Sequence, residues 1–432
     1  MAGLAGMPGP AAYRGEIRPM SQTQQEPESK PPESAGKKHD RYKTWRWNFY
    51  SLLAGIGAVL LVIWLGWVPL PLIPGLTSTG AAFDNEAQIV ERLELPDGYK
   101  VNLFAVDVGR ARGMAMTPTG DILVAAPGRK LMLVKADRSG DGRSDGVETL
   151  VEDLSRPHGV YLDGDWLYVA ETDGVVRMRY DAEKGEIVGE SEQVASGIPG
   201  GGGHWTRTIN KGPDGWFYVT VGSTCNVCLE GHPWRAAMVR FKPGTEPELY
   251  ASGLRNTVGF DWQPGTGKLY GVENGRDWLG NDFPPEEVNL IVKDGFYGWP
   301  YFNGDNEADP DYGDEAGEKG DEALKPAHNM EAHTAPLSIR FLQNSQAPDM
   351  ENAALVARHG SWNRDERIGY DVISLHWDGE GNITQRPFLS GFNRQGDVSG
   401  RPVDVVEAPD GTIYVSDDLS GVIWRVQYAP QS

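Results

Sequence analysis

Histidines and arginines, with one asparagine, recur in this sequence at the points where a repeating pattern begins: His158, His204, Arg207, Arg255, Asn256, His333, His359, Arg364 and Arg401. A neutral imidazole can take a hydroxyl proton near physiological pH, and guanidinium forks bind carboxylates through paired N–H groups. Brought to one place, these side chains would hold an anionic ligand beside a general base. Each alone has a plainer reading, a hydrogen-bonded structural histidine or an arginine in a surface ion pair, so the expectation rests on their convergence. His204 also follows the run Gly200–Gly203, through which backbone can come close to a ligand.

Oxygen ligands for a hard cation occur in two places. Counting from Asp137, the side chains of Asp137, Ser139, Asp141, Asp145 and Glu148 fall at positions 1, 3, 5, 9 and 12, with Gly142 at position 6. That is the spacing of a calcium loop. Strand-like flanks, Leu131–Ala136 and Thr149–Glu152, place it on a hairpin, with a plain polar turn as the alternative. The segment from Val272 to Ile291 combines a strand end, a glycine turn and the acids Glu286 and Glu287, which suits calcium or a solvated acidic loop equally. The two cysteines, Cys225 and Cys228, lack the histidine that haem attachment needs and the βαβ setting of a redox CxxC. A local disulfide is the expected reading.

The elements that must position these residues repeat. A short apolar strand, a Pro/Gly/Asp turn and an aromatic strand recur from Gly113, His158, His204, Asn256, Thr334 and Arg401, at intervals of 45, 46, 52, 78 and 67 residues. The wider intervals hold insertions, one of them the acidic stretch 303–322. Periods of 40 to 50 residues with about four strands each predict a β-propeller, so the fold class expected is all-β, a six-bladed β-propeller preceded by a single N-terminal transmembrane helix. Closure of the ring calls for Tyr99–Val106 to pair beside Val422–Tyr428. In a propeller the repeat heads meet at one mouth of the central channel.

The net charge of −21 disfavours a nucleic-acid partner. From Leu52 to Ile73 the chain carries no charge, long enough for one membrane crossing. Lys37, Lys38, Arg41, Lys43 and Arg46 precede it, which keeps the N-terminus cytoplasmic and everything after Gly75 outside. A signal peptide cut near Ala81 or Ala82 is the alternative. The expected organisation is a disordered polar tail (1–50), a transmembrane helix (51–74), a linker (75–94) and the propeller (95–430). That places the protein in the cytoplasmic membrane with its large domain on the periplasmic or extracellular side.

The segments RPHGVYLDGDWLYVAET, GGGHW, GSTCNVC, GLRNTVGFDW, VENG with EEVNLI and FYGWPY, AHTAPLSI, RHGSWNR and RPVDVVEAPDGTIYVSDD follow one another in this order. From about Leu95 to Tyr428 the chain thereby resembles the pyrroloquinoline quinone (PQQ)-dependent sugar dehydrogenases, with CNVC and HGSWNR most similar to the sorbosone dehydrogenase-like branch. The resemblance implies PQQ over the channel mouth with calcium bound to it, and a sugar, small polyol or aldehyde as substrate. It implies His204 as catalytic base, Arg255 and Asn256 beside the quinone, Asn274 as a cofactor contact, and Arg401 on a PQQ carboxylate. It further implies the carbonyls of Gly275 and Arg276 as calcium ligands, with Arg207, Arg364 and His333 or Thr334 lining the cofactor. A membrane quinone or a cytochrome would be the electron acceptor. Two positions depart from the glucose dehydrogenases: Gly275–Arg276 replaces Gly-Pro, and Val403 stands where they carry a second arginine. A calcium-dependent lactonase and a non-catalytic binding propeller are the competing readings.

Overall fold

The computed structural model describes residues 86–126 and 128–429. Six four-stranded antiparallel sheets follow in chain order as six blades, each running innermost to outermost in sequence. Their innermost strands are Met114–Met116, Gly159–Asp163, Ile209–Lys211, Thr257–Trp262, Pro336–Phe341 and Pro402–Glu407. The sixth blade takes its outermost strand from the other end of the chain: Tyr99–Ala105 pairs antiparallel with Val422–Tyr428, from Tyr99 opposite Tyr428 to Ala105 opposite Ile423. The predicted propeller and its closure are thus both present.

The second strands Ile122–Ala126, Phe217–Val221, Leu269–Glu273, Ala354–Arg358 and Ile413–Asp417 are buried at every residue. Each is covered on both faces by neighbouring blades, so it reads as a mainly apolar run rather than an alternation, with the charged residues Glu273, Arg358 and Asp417 at strand ends. The core is accordingly divided into six buried clusters, one between each pair of adjacent blades. Toward the axis the blades meet through glycines. A β-carbon on Gly113 would lie 2.3 Å from the carbonyl oxygen of His158, and one on Gly259 would lie 2.4 Å from the Cα of Ser338. Only residues without a β-carbon allow this approach of neighbouring innermost strands.

The expected tail (1–50) and transmembrane helix (51–74) lie outside the described residues; among those described, no helix is long and apolar enough to cross a membrane. The expected linker (75–94) is structured where it is described: Glu86–Arg92 is a helix that buries Ile89 in the cluster between the fifth and sixth blades. Glu94 then bridges to Ser390. Burial of a single apolar face suffices to order seven residues that composition alone marks as a connector.

Candidate active site

Because strands alternate in direction, the segments entering each innermost strand and the loops joining each second strand to the third emerge at the same end of the channel. This mouth collects the repeat heads. His204 is held there by the CNVC loop: its Nδ1 lies 2.8 Å from Ser223 Oγ and 3.1 Å from the Ser223 carbonyl. The Ser223 hydroxyl donates to the Cys225 carbonyl at 2.7 Å, so Nδ1 must be the donor and Nε2 carries the free lone pair. Burial, and next to it the Arg255 guanidinium, push the imidazole down to about 3, against the Ser223 hydrogen bond. His204 is therefore neutral at physiological pH, with Nε2 an acceptor. A β-carbon on Gly222 would lie 2.5 Å from His204 Cβ and 2.8 Å from Asn256 Oδ1, so glycine there is what lets the two side chains sit together. Asn256 Oδ1 is buried without a partner.

The disulfide expected from the CxxC joins Cys225 to Cys228. The loop it closes presents Asn226, whose carbonyl accepts from Arg255 Nε and whose Oδ1 accepts from Arg255 Nη2, both at 2.8 Å. Arg255 Nη1 donates to the Asn274 carbonyl at 2.9 Å, which engages three of the guanidinium's five N–H groups, and the Asp277 carboxylate lies 3.5 Å from Nη2.

A second cationic group lies across the mouth. Arg401 Nη2 donates to His359 Nδ1 at 2.7 Å, His359 Nε2 to Asp418 Oδ1 at 2.8 Å, and Arg112 Nη1 to Asp418 Oδ2 at 2.8 Å. A guanidinium only donates, so His359 is the neutral Nε2–H tautomer, in keeping with burial pushing it down to about 4. Burial alone would raise the Asp418 carboxyl, but its hydrogen bond from His359 and the nearby Arg112 and Arg401 bring it down to about 2. Asp418 thus meets Arg112 directly and Arg401 through His359, the Arg401 amide donates to Asp417 at 3.0 Å, and Arg156 stacks nearby on Trp205 at 4.3 Å. The excess charge at this side of the mouth is positive.

Several expected ligands are held by the protein itself. Arg207, fully buried, donates to the carbonyls of His204, Thr206 and Pro199. Arg364 ties the carbonyls of Asn281 and Glu366 and the carboxylate of Asp282. His333 donates to the Gly280 carbonyl and Thr334 to the Glu331 carbonyl, while the Asn274 amide bridges to the carbonyls of Asn256 and Pro336. These side chains build the loops of the mouth rather than face into it, because buried donors close on the nearest carbonyls. Arg276 turns from the mouth into a buried ion pair at 2.7 Å with Asp309, with Asp311 at 3.0 Å. The acidic insertion therefore neutralises the guanidinium that replaces proline beside Gly275. No donor among the described residues is bonded to the carbonyl oxygens of Gly275 or Arg276.

The calcium spacing at Asp137 does not gather a shell. Asp137 accepts from the amides of Gly140, Asp141 and Gly142 and pairs with Arg425 at 3.1 Å. Asp145 caps the amides of Arg138 and Ser139, and Glu148 pairs with Lys135. Burial works to raise the Asp137 carboxyl, yet the amides of Gly142 and Gly140 and Arg425 hold it below its ordinary value. A guanidinium and backbone amides take the place expected of a metal. Glu286 and Glu287 are likewise engaged. Glu286 bridges the amides of Gly275 and Ala335, and Glu287 accepts from Gly304 N and Asn289. Burial pushes the Glu286 carboxyl up to about 7.

Ser223, Asn226, Asp418 and Arg112 are the site residues that the residue-type reading missed. The first three stand inside motifs already quoted, GSTCNVC and YVSDD, but nothing in those letters says which side chain turns inward.

The comparisons with known proteins agree with this fold. Residues 93–295 match the TrAA12-like family and residues 221–425 the Glucose / Sorbosone dehydrogenase family. A protein of unassigned function from Borreliella burgdorferi is 28% identical over 362 residues, covering 79% of this chain and 92% of its own. The pyrroloquinoline quinone-dependent pyranose dehydrogenase of Coprinopsis cinerea is 23% identical over 406 residues, 78% of this chain; the match spans 54% of that longer protein. The holo form of the PQQ domain of the Coprinopsis cinerea pyranose dehydrogenase superposes with a TM-score of 0.67 at 22% identity, covering 78% of this chain and 97% of the domain.

Proposed function

We propose that this chain, a relative of the glucose/sorbosone dehydrogenases, is a quinoprotein dehydrogenase that oxidises a sugar or a related alcohol or aldehyde at the propeller mouth. The observation that carries the reading is His204: a neutral imidazole, oriented by Ser223 so that Nε2 is free, beside the Arg255 guanidinium.

The residues at the mouth fit PQQ, a tricarboxylate. Arg401 has no acceptor bonded to its Nη1 among the described residues, the excess cation lies on that side, and Asn256 Oδ1 is a buried atom awaiting a partner. Arg401 and Arg112 would hold carboxylates. Arg112 supplies a cation that Val403, buried in the channel wall, does not. The free carbonyls of Gly275 and Arg276 are the donors suited to calcium. When bound, PQQ supplies a two-electron acceptor for hydride from the substrate carbon.

The protein's own part is positional and protonic. His204 Nε2 takes the hydroxyl proton of the carbon being oxidised. An imidazole is far less basic than an alkoxide, so proton removal must accompany the breaking of the carbon–hydrogen bond. Arg255, anchored by Asn226 and Asn274, stabilises the negative charge that develops. The uncharged run 52–73 would tether the domain to the outer face of the cytoplasmic membrane, within reach of a membrane quinone or a cytochrome.

A lactonase would need side-chain carboxylates gathered around an ion in the channel. Among the described residues the one triple of metal-ligating side chains within 4.8 Å is Cys225, Cys228 and Glu230, and its two sulfurs are bonded to each other. The deciding experiment is reconstitution of the detergent-solubilised full chain with PQQ and calcium, then dye reduction across aldoses, sugar alcohols and aldehydes. Stoichiometric PQQ uptake with turnover of one class supports the dehydrogenase; lactone hydrolysis without quinone overturns it.

A further inference from the structure

Trp278 and Trp362 are the two most exposed large apolar side chains among the described residues, at 68% and 64%. They come from different blades, on the loops 274–285 and 359–370, yet meet edge to face with ring centroids 5.3 Å apart and planes at 83°. The loops beneath them are interlocked. Asn281 Nδ2 donates to Asp365 Oδ2 at 2.9 Å, the Asp365 amide donates back to Asn281 Oδ1 at 3.2 Å, and Arg364 donates to the Asn281 carbonyl at 2.9 Å. His333 pins Gly280 from below at 2.8 Å. Trp278 itself has φ +74°, a left-handed backbone that bulky residues rarely adopt and that points to function where it persists. Two indoles are thus held out of the core on a rigid footing, forfeiting the burial that would stabilise the fold.

We propose that this pair is a saccharide platform on the rim of the mouth, which takes the sugar unit adjoining the one being oxidised. The inference rests on the sugar-oxidising reading. A pyranose ring offers an apolar C–H face and a rim of hydroxyls; an indole face covers the first, and carboxylates and amides bind the second. Asp277 and Asn363 adjoin the two tryptophans in sequence, and Asn281 and Asp365, both exposed, stand on the same two loops. The platform is continuous with the site, since Trp278 directly follows Asp277, whose carboxylate lies 3.5 Å from Arg255 and 3.4 Å from the Asn363 amide. With about two-thirds of each side chain exposed, the two indoles present roughly 330 Å², short of the roughly 500 Å² that each partner of even a minimal specific interface buries. A sugar unit matches that size.

The test uses the detergent-solubilised full chain, first without PQQ, with titration calorimetry against D-glucose, maltotriose and cellotriose. At least one trisaccharide is expected to bind about tenfold more tightly than glucose. Trp362→Ala should abolish that preference, and Trp362→Tyr should restore it, with thermal midpoints unchanged. Trp278→Ala is the second variant, expected to act in the same direction. Equal trisaccharide affinity in wild type and both alanine variants, or no trisaccharide preference in the wild type, overturns the platform. Normal glucose turnover by the PQQ-loaded protein alongside that result removes the platform and leaves the oxidation. Tryptophan-dependent trisaccharide binding with no oxidation of any sugar removes the oxidation and leaves the platform.

Discussion

The catalytic reading turns on one proton of one hydroxyl. Ser223 gives its hydrogen to Cys225 and so fixes the His204 tautomer. The imidazole should then stay neutral as pH falls, with the Nδ1–H signature in ¹⁵N NMR unchanged from pH 8 to 5. A protonation step near the ordinary 6.5 would contradict the burial that sets it at about 3. Because the folded value lies below the unfolded one, the unfolded chain takes up the proton first. The residue's contribution to stability is therefore whole above pH 6.5 and is lost as pH falls toward 3. His204→Ala should lower turnover by about 10²- to 10⁴-fold while PQQ, whose proposed ligands are other side chains, is retained in equilibrium dialysis. At this scale the sequence was legible in part: motif resemblance named His204, Arg255 and Arg401. It also named Arg207, Arg364, His333 and Thr334, whose polar groups close on neighbouring carbonyls, since residue type tells what a side chain can bond but not which acceptor lies nearest.

Loops do the positioning. The Cys225–Cys228 bond closes the turn from which Asn226 grips Arg255 through two hydrogen bonds and the Asp277 amide through a third, at 2.8 Å. Cys225→Ser with Cys228→Ser should leave the propeller folded, because none of the six core clusters includes either residue. It should lower kcat/KM by about tenfold, the equivalent of one loosened hydrogen bond to a charged group. Unchanged kinetics would show that Arg255 is held without the turn. The calcium spacing at Asp137 teaches the converse lesson: ligand letters at the right intervals bind a metal only if the loop turns them toward one point. Here backbone amides and Arg425, which arrives from the last strand of the chain, reach Asp137 first.

Across the whole molecule, stability depends on joining the two ends of the described chain. Leu103, Phe104 and Ala105 of the first strand are all but fully buried and belong to the clusters on either side of the sixth blade. Phe104→Ala should cost about 3–5 kcal/mol and lower the thermal midpoint of the entire propeller in one transition. A separate early transition confined to the sixth blade would show that closure is not cooperative. By itself the sequence determined the blade count and the closing strand, because aromatic strands and glycine turns repeat with a period that the backbone must obey locally. Which arginines face the mouth, which carboxylate neutralises Arg276 and whether acidic letters form a metal shell were decided only in the tertiary structure. Those outcomes depend on distances between groups more than 300 residues apart, such as Arg112 and Asp418, and no local pattern encodes them.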